Sequence, residues 1–198
     1  MPYTAEHKRR TRARIVESAR KLFNQRGFVE VSIDDVMSDA GLTRGGFYNH
    51  FNTKEELLLA SVAAYGECNP TDRWDGVSMD YDAPAPDAAR QLATSYLSHA
   101  HLHDVPGHCP LVALAADAAH AGPGVQRAYK ALLERMITIF EAGAGGDRGT
   151  GLALTAMCIG AMLLGRTVGN DGFGEEVLDA SRAEAVRILE RRRDAAGA

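Results

Sequence analysis

Two groups of side chains in this 198-residue sequence could do chemistry. The first is Arg44, Tyr48, Asn49 and His50, preceded by Gly41-Leu42-Thr43 and interrupted by Gly45-Gly46. An arginine can donate two parallel hydrogen bonds to a guanine edge, and an asparagine can pair bidentately with adenine. The two glycines let a backbone approach a ligand closely. The second group is His99-Ala-His101-Leu-His103-Asp104-Val-Pro-Gly-His108-Cys109-Pro110, which gathers four of the chain's 7 histidines and one of its 3 cysteines. Pro110 suits the first position of a helix, which puts Cys109 at the N-cap, where backbone N–H groups lower a thiol pKa. Cys109 is therefore a candidate for oxidation or adduct formation. His99 and His103 are spaced i, i+4 on one helix face, and with His108 and Cys109 they form an alternative metal-ligating set. A Cys109-dependent enzyme is a third reading, requiring a base within reach and an oxyanion site. No hydrolase motif surrounds Cys109, so the chain is not read as an enzyme, and no cofactor is expected.

These residues must be positioned by helices, because nearly every periodic segment has helical spacing. Ile15, Ala19, Leu22 and Phe23 form one stripe, closed by Gly27. Ser32 and Asp35 read as a capping box opening a second helix, with Ile33, Val36, Met37 and Ala40 as its apolar face and Gly41 as its stop. Thr43 caps a third, very short helix through about His50, with Phe47 and Phe51 pointing inward. Thr53 and Glu56 read as a further capping box for a helix carrying Leu57, Leu58, Val62 and Tyr65. Asn69 to Asp87 reads as a solvated connection rich in turn residues. Beyond it, Leu92, Tyr96, His99 and His103 read as one helical stripe, and further helices are expected from Pro110, from about Val125 to Ala142, from Thr150 to Val168 and from Glu175 to Arg193. The expected fold is all-α with about nine helices.

Charge divides the chain. Residues 1–54 carry 10 Lys and Arg against 6 Asp and Glu, whereas the remainder carries 12 against 20. A basic head on an acidic body points to a polyanion-binding N-terminal module. Three cysteines without CxxC spacing argue against a disulfide framework or a zinc ribbon. The first fifteen residues are Arg-rich and lack the apolar core of a secretory signal. The uncharged run from Thr150 to Gly165 is shorter than the ~20 residues of a membrane span. A cytoplasmic protein is the expectation.

Two short helices joined by Gly41-Leu42-Thr43 fit a helix-turn-helix, which places its second helix in a DNA major groove. Gly27-Phe28, Ser32-Ile33-x-x-Val36, Ala40 through Phe51 and Lys54-Glu55-Glu56-Leu57 together resemble the DNA-binding domain of the tetracycline-repressor (TetR) family over about 50 residues. Ser32 stands where that family usually has Thr, and Met37 where Ala is common. The resemblance implies a homodimeric transcriptional repressor, with an N-terminal helix-turn-helix DNA-binding domain of three helices over residues 1–53. A C-terminal helical effector-binding and dimerisation domain would occupy residues 54–198. By position, Arg44, Gly45 and Asn49 would approach bases, Tyr48 a base or a phosphate, and Ser32, Thr43, His50 and Lys54 would hold phosphates. Gly45 and Gly46 each lower helix propensity by about 1 kcal/mol, which leaves the reading helix loosely formed until DNA orders it.

The C-terminal part has its own signals. Leu152, Ala156, Met157, Gly160, Ala161, Leu164 and Gly165 describe a helix apolar nearly all round, and Leu178, Ser181, Ala185, Ile188 and Leu189 a stripe on the last helix. Two such helices from each of two copies suit a four-helix dimer interface, and hence an inverted-repeat operator with half-sites about 34–36 Å apart or somewhat more. Family resemblance also implies a pocket for a small apolar effector, for which Tyr65, Tyr96, His99, His103, Cys109, Tyr129, Met136, Phe140 and Met157 are the candidate residues. Cys-Pro followed by an apolar stretch resembles a subgroup of the same family that includes thiol-based sensors. Cys68 and Cys158 sit in apolar runs and read as structural.

Overall fold

The computed structural model describes residues 4–66, 77, 79–80, 82–169 and 171–196. Cys68 and much of the connection from Asn69 to Asp87 lie outside them. Among the described residues the secondary structure is all-helical: α1 (Ala5–Arg26), α2 (Ile33–Asp39), a 3₁₀ turn (Arg44–Asn49), α3 (Lys54–Tyr65), α4 (Ala85–Tyr96), α5 (His99–His103), a second 3₁₀ turn (Val105–Gly107), α6 (Pro110–Ala113), α7 (Ala115–His120), α8 (Pro123–Gly143), α9 (Arg148–Thr167) and α10 (Phe173–Ala196). The chain divides into two compact units, residues 1–69 with 105–130, and residues 70–104 with 131–198.

In the first unit α1 packs against α2, α3, the 105–107 turn and α6. Its inward stripe of Ile15, Ala19 and Phe23 is fully buried, with Val36, Met37, Phe47, Phe51, Leu57, Leu58 and Val62. The local stops follow the sequence. Gly27 takes φ +80° and its N–H donates to Phe23 O at 2.8 Å, a conformation that costs a side-chain-bearing residue more. Ser32 and Asp35 form the reciprocal capping box of α2. Thr53 caps α3 by accepting from Glu56 N, but the Glu56 carboxylate receives Asn52 rather than Thr53, so that box is only half made.

The second unit is built on α10, which packs against α9, α4 and α5. Leu154, Cys158 and Met162 of α9 are fully buried, as are Leu178 and Ala185 of α10 and Phe140 of α8. The α9/α10 pair approaches closely at two glycines: a Cβ on Gly174 would lie 2.5 Å from Gly165 O. Small residues here permit the contact, as the spacing of glycine and alanine along α9 suggests.

Two expected helices are broken. The stripe Leu92, Tyr96, His99, His103 is not one helix. Leu97 leaves helical geometry (φ −93°, ψ 34°), and Ser98 starts α5 by accepting from His101 N at 3.1 Å. The His101 ring secures this corner, its Nδ1 bonded to Tyr96 O at 2.8 Å and its edge against the Tyr96 ring. The helix from Pro110 likewise stops after four residues, at Leu114 (φ −121°, ψ 19°), which is fully buried. These breaks explain why more than nine helices are present among the described residues. In both cases the corner residue is drawn into the core, which local spacing does not encode.

One buried polar contact fixes the 105–108 segment. Asn24, 1% exposed, donates through Nδ2 to Pro106 O at 3.1 Å and His108 O at 2.8 Å. Arg20, 3% exposed, donates to Pro106 O at 2.9 Å while its other nitrogens clasp Glu17.

Asn24→Ala should cost about 1–3 kcal/mol, because the buried His108 carbonyl loses this donor, and denaturant unfolding of the variant measures it. Gly174→Ala should destabilise by about 2–3 kcal/mol, since the added carbon meets backbone rather than a movable side-chain end. Calorimetry should show its Tm lowered by roughly 5–10 °C.

Candidate nucleic-acid interface

The turn Arg44–Asn49 is too short and too glycine-rich to hold its shape alone, and it winds as a 3₁₀ helix rather than an α-helix. Its anchor is aromatic. Phe47 and Phe51 are 0% and 1% exposed, their ring centroids 5.7 Å apart. Arg12 of α1 lies over the Phe51 ring at 4.5 Å. With Phe47 turned in, its neighbours turn out: Arg44, Gly45, Tyr48 and Asn49 are exposed. Tyr48 is 58% exposed and rests edge-on against Phe47. The turn therefore presents a guanidinium, a phenol and a carboxamide on one short segment.

Arg44 is not idle in this arrangement. Its Nη1 donates to Asp34 Oδ2 at 2.6 Å, and both groups are more than half exposed. Asp34, which spacing alone gave no reason to single out, lies ten positions earlier on α2.

The expected phosphate contacts are placed as follows. Ser32 is exposed, but its hydroxyl is committed to the capping box, accepting from Asp35 N at 3.0 Å and donating to Asp35 Oδ2 at 2.6 Å. These bonds, with Arg26, hold the Asp35 carboxyl below its ordinary pKa. Thr43 is exposed at the N-cap of the turn and makes no side-chain capping bond. His50 is half-buried, its Nδ1 buried without a hydrogen-bond partner. Burial, and then the charges of Lys8, Arg12 and His7, push the His50 pKa down. Lys54 turns back into the unit: Nζ donates to Val29 O at 3.2 Å and lies 4.4 Å from the Phe28 ring centroid. Burial lowers its pKa against the opposing pull of Asp117, Glu30 and Asp35.

Basic residues of α1 divide similarly. Arg20 is buried on Glu17 and Pro106, Arg14 donates to Ala40 O, and Arg26 pairs with Asp35 at 3.4 Å. Lys8, Arg9 and Arg10 are exposed. Arg20 apart, the basic residues of α1 are exposed, Arg12, Arg14, Lys21 and Arg26 among them.

The candidate effector residues fall into both units. In the first, Tyr65 is half-buried, and Tyr129 donates through its hydroxyl to Leu111 O at 2.7 Å. Burial, with the neighbouring Cys109, pushes the Tyr129 pKa to about 12. Cys109 is the N-cap of α6 as expected, but it is only 3% exposed and α6 has only 4 residues. In the second unit Tyr96, Met136 and Phe140 are buried and Met157 is half-buried. His99 and His103 do share one face, and they meet carboxylates of α10. His99 Nε2 lies 2.9 Å from Asp179 Oδ1, and His103 Nε2 lies 2.9 Å from Glu175 Oε1. Cys158 is fully buried, its pKa raised to about 12 by that burial.

The alternative metal set is divided between the two units. His99 and His103 belong to the second unit and pair with Asp179 and Glu175, whereas His108 and Cys109 belong to the first, where Asn24 holds the His108 carbonyl. Among the described residues no three His, Cys, Asp or Glu side chains are grouped to hold a metal ion.

Residues 15–61 match the family model described as bacterial regulatory proteins, tetR family. The HTH-type transcriptional regulator TtgR of Pseudomonas putida is 44% identical over 64 residues, which cover 32% of this chain and 30% of TtgR. The chain thus spans under a third of that relative's length by sequence. Among solved structures, the reduced form of E. coli NemR aligns with a TM-score of 0.71 at 19% identity, covering 89% of this chain and 95% of NemR. SCO4454, a TetR-family transcriptional regulator from Streptomyces coelicolor, aligns with a TM-score of 0.65 at 25% identity, covering 91% and 95%. The anchored, outward-facing turn at Arg44–Asn49 therefore lies within residues 15–61, the segment of this chain that matches the tetR family of bacterial regulatory proteins.

Proposed function

We propose that this protein is a cytoplasmic, homodimeric transcriptional repressor that grips an inverted-repeat operator in double-stranded DNA and is released by a small apolar effector. The observation that carries this reading is the exposure of Arg44, Tyr48 and Asn49 on a turn whose other side is locked by Phe47 and Phe51. Residues 1–53 form the reading module, with Ser32, Thr43 and His50 beside the phosphates. Lys54 joins them by exchanging Val29 O for a phosphate oxygen. Residues 54–198 serve effector binding and dimerisation.

The partner for α9 is a second copy of this chain. By length and composition α9 is long and apolar enough to cross a membrane. Its exposed residues lie along one side: Leu152, Ala156 and Leu163 follow helical spacing, with Leu164 and Val168 beside them. Leu152, Leu163 and Leu164 are 48%, 44% and 57% exposed, an apolar surface that water does not favour. The opposite side, Leu154, Cys158 and Met162, is fully buried. A helix half covered by its own chain and half bare fits a two-fold helix-pair interface better than a lipid-surrounded span.

Release requires that the effector bind the non-DNA conformer better by as much as it weakens the operator complex. Modification of Cys109 is a second route, favoured by one contact: the carbonyl of the preceding His108 is hydrogen-bonded by Asn24 of α1. The burial of Cys109 speaks against a nucleophile serving repeated turnover.

Asn49→Ala should relax discrimination at a single base pair per half-site, costing about 1–3 kcal/mol there. Fluorescence anisotropy on operator duplexes varied one pair at a time measures this, and uniform weakening across all variants would contradict the assigned role. Leu163→Glu should convert the dimer to a species near the 21.3 kDa chain mass in sedimentation equilibrium. Operator affinity should fall with it by roughly 10- to 100-fold, because the two half-sites are no longer linked.

A further inference from the structure

We infer that Asp34 is a positioning residue for base reading: its carboxylate holds Arg44 so that one complete edge of the guanidinium faces a guanine. The inference rests on the DNA-reading function proposed above. Arg44 opens the 3₁₀ turn, Asp34 is the second residue of α2, and Nη1 donates to Oδ2 at 2.6 Å.

Folding does not account for this pair. Its members are 64% and 55% exposed, and exposed ion pairs contribute little to stability. Both elements are already secured without it. The Ser32–Asp35 capping box and buried Val36 and Met37 hold α2, and Phe47 holds the turn.

What the pair does change is the freedom of Arg44. A long exposed side chain loses rotamer entropy when it docks on a base, and restraint beforehand lowers that cost. The guanidinium has five N–H donors in a planar fork, and Asp34 engages it through Nη1. The Nε–Nη2 edge keeps both of its parallel donors, the pattern that matches guanine N7 and O6. A carboxylate at this surface also repels phosphate, so it works against binding that is not matched by a correctly placed base.

These two effects have opposite signs, which separates positioning from simple damage to α2. In vitro selection from randomised duplexes with the full chain should give the wild type a guanine preference of roughly tenfold or more at one position per half-site. Asp34→Ala and the isosteric Asp34→Asn should each reduce that preference by about three- to tenfold at that position alone. Affinity for random duplex should hold or rise, because a negative charge has gone. Asp34→Glu should restore part of the preference. Arg44→Ala should abolish it, and adding Asp34→Ala to Arg44→Ala should change nothing further. A guanine preference intact in Asp34→Ala, or a loss spread evenly over all positions, overturns the inference while leaving the DNA-reading function standing. A wild type that enriches no sequence overturns both.

Discussion

The burial of two phenyl rings is the constraint on which the reading surface depends. Gly45-Gly46 gives the segment from Arg44 to Asn49 poor helical propensity, and Thr43 supplies no side-chain cap. Phe47 and Phe51 supply what propensity does not, since removing each ring from water is worth about 2–3 kcal/mol. Their insertion into the core of α1, α2 and α3 decides which side of the turn faces out. The chemistry of Arg44, Tyr48 and Asn49 is thereby set by hydrophobic contacts that touch none of their polar groups.

Electrostatics then works by subtraction. Along α1, Arg20 is buried on Glu17 and Pro106 and Arg26 pairs with Asp35, while Arg14 and Arg12 stay exposed although one donates to Ala40 O and the other lies over Phe51. Exposed Asp34 adds a negative charge beside the reading turn. In the DNA-reading function proposed above, the Asp34 charge would weaken binding to arbitrary duplex and leave more of the binding free energy to base contacts.

Much of this was legible in the residues because the signals were local. The capping pair Ser32 and Asp35, the stop at Gly27 and the inward rings of Phe47 and Phe51 each depend on neighbours a few positions away. What escaped was tertiary. The corners at Leu97 and Leu114 arise from a fully buried side chain at each break, and a helical stripe continues through them in sequence without a sign. Asn24 reads as an ordinary polar residue on a helix until the carbonyls of Pro106 and His108 arrive from 82 and 84 positions away. The pairing of Asp34 with Arg44 belongs to the same class, and so does the choice of α10 carboxylates as partners for His99 and His103.

The winding of the turn has a metrical consequence. A 3₁₀ helix advances about 2.0 Å and 120° per residue, an α-helix about 1.5 Å and 100°. Over the five steps from Arg44 to Asn49, the tighter form separates the two groups by about 10 Å along the axis, the looser by about 7.5 Å, with roughly 100° between their relative bearings. Stacked bases are about 3.4 Å apart. In the proposed reading of DNA, the pitch of six residues would therefore set which rung of the duplex each group can address, and two adjacent glycines make that pitch inexpensive to alter.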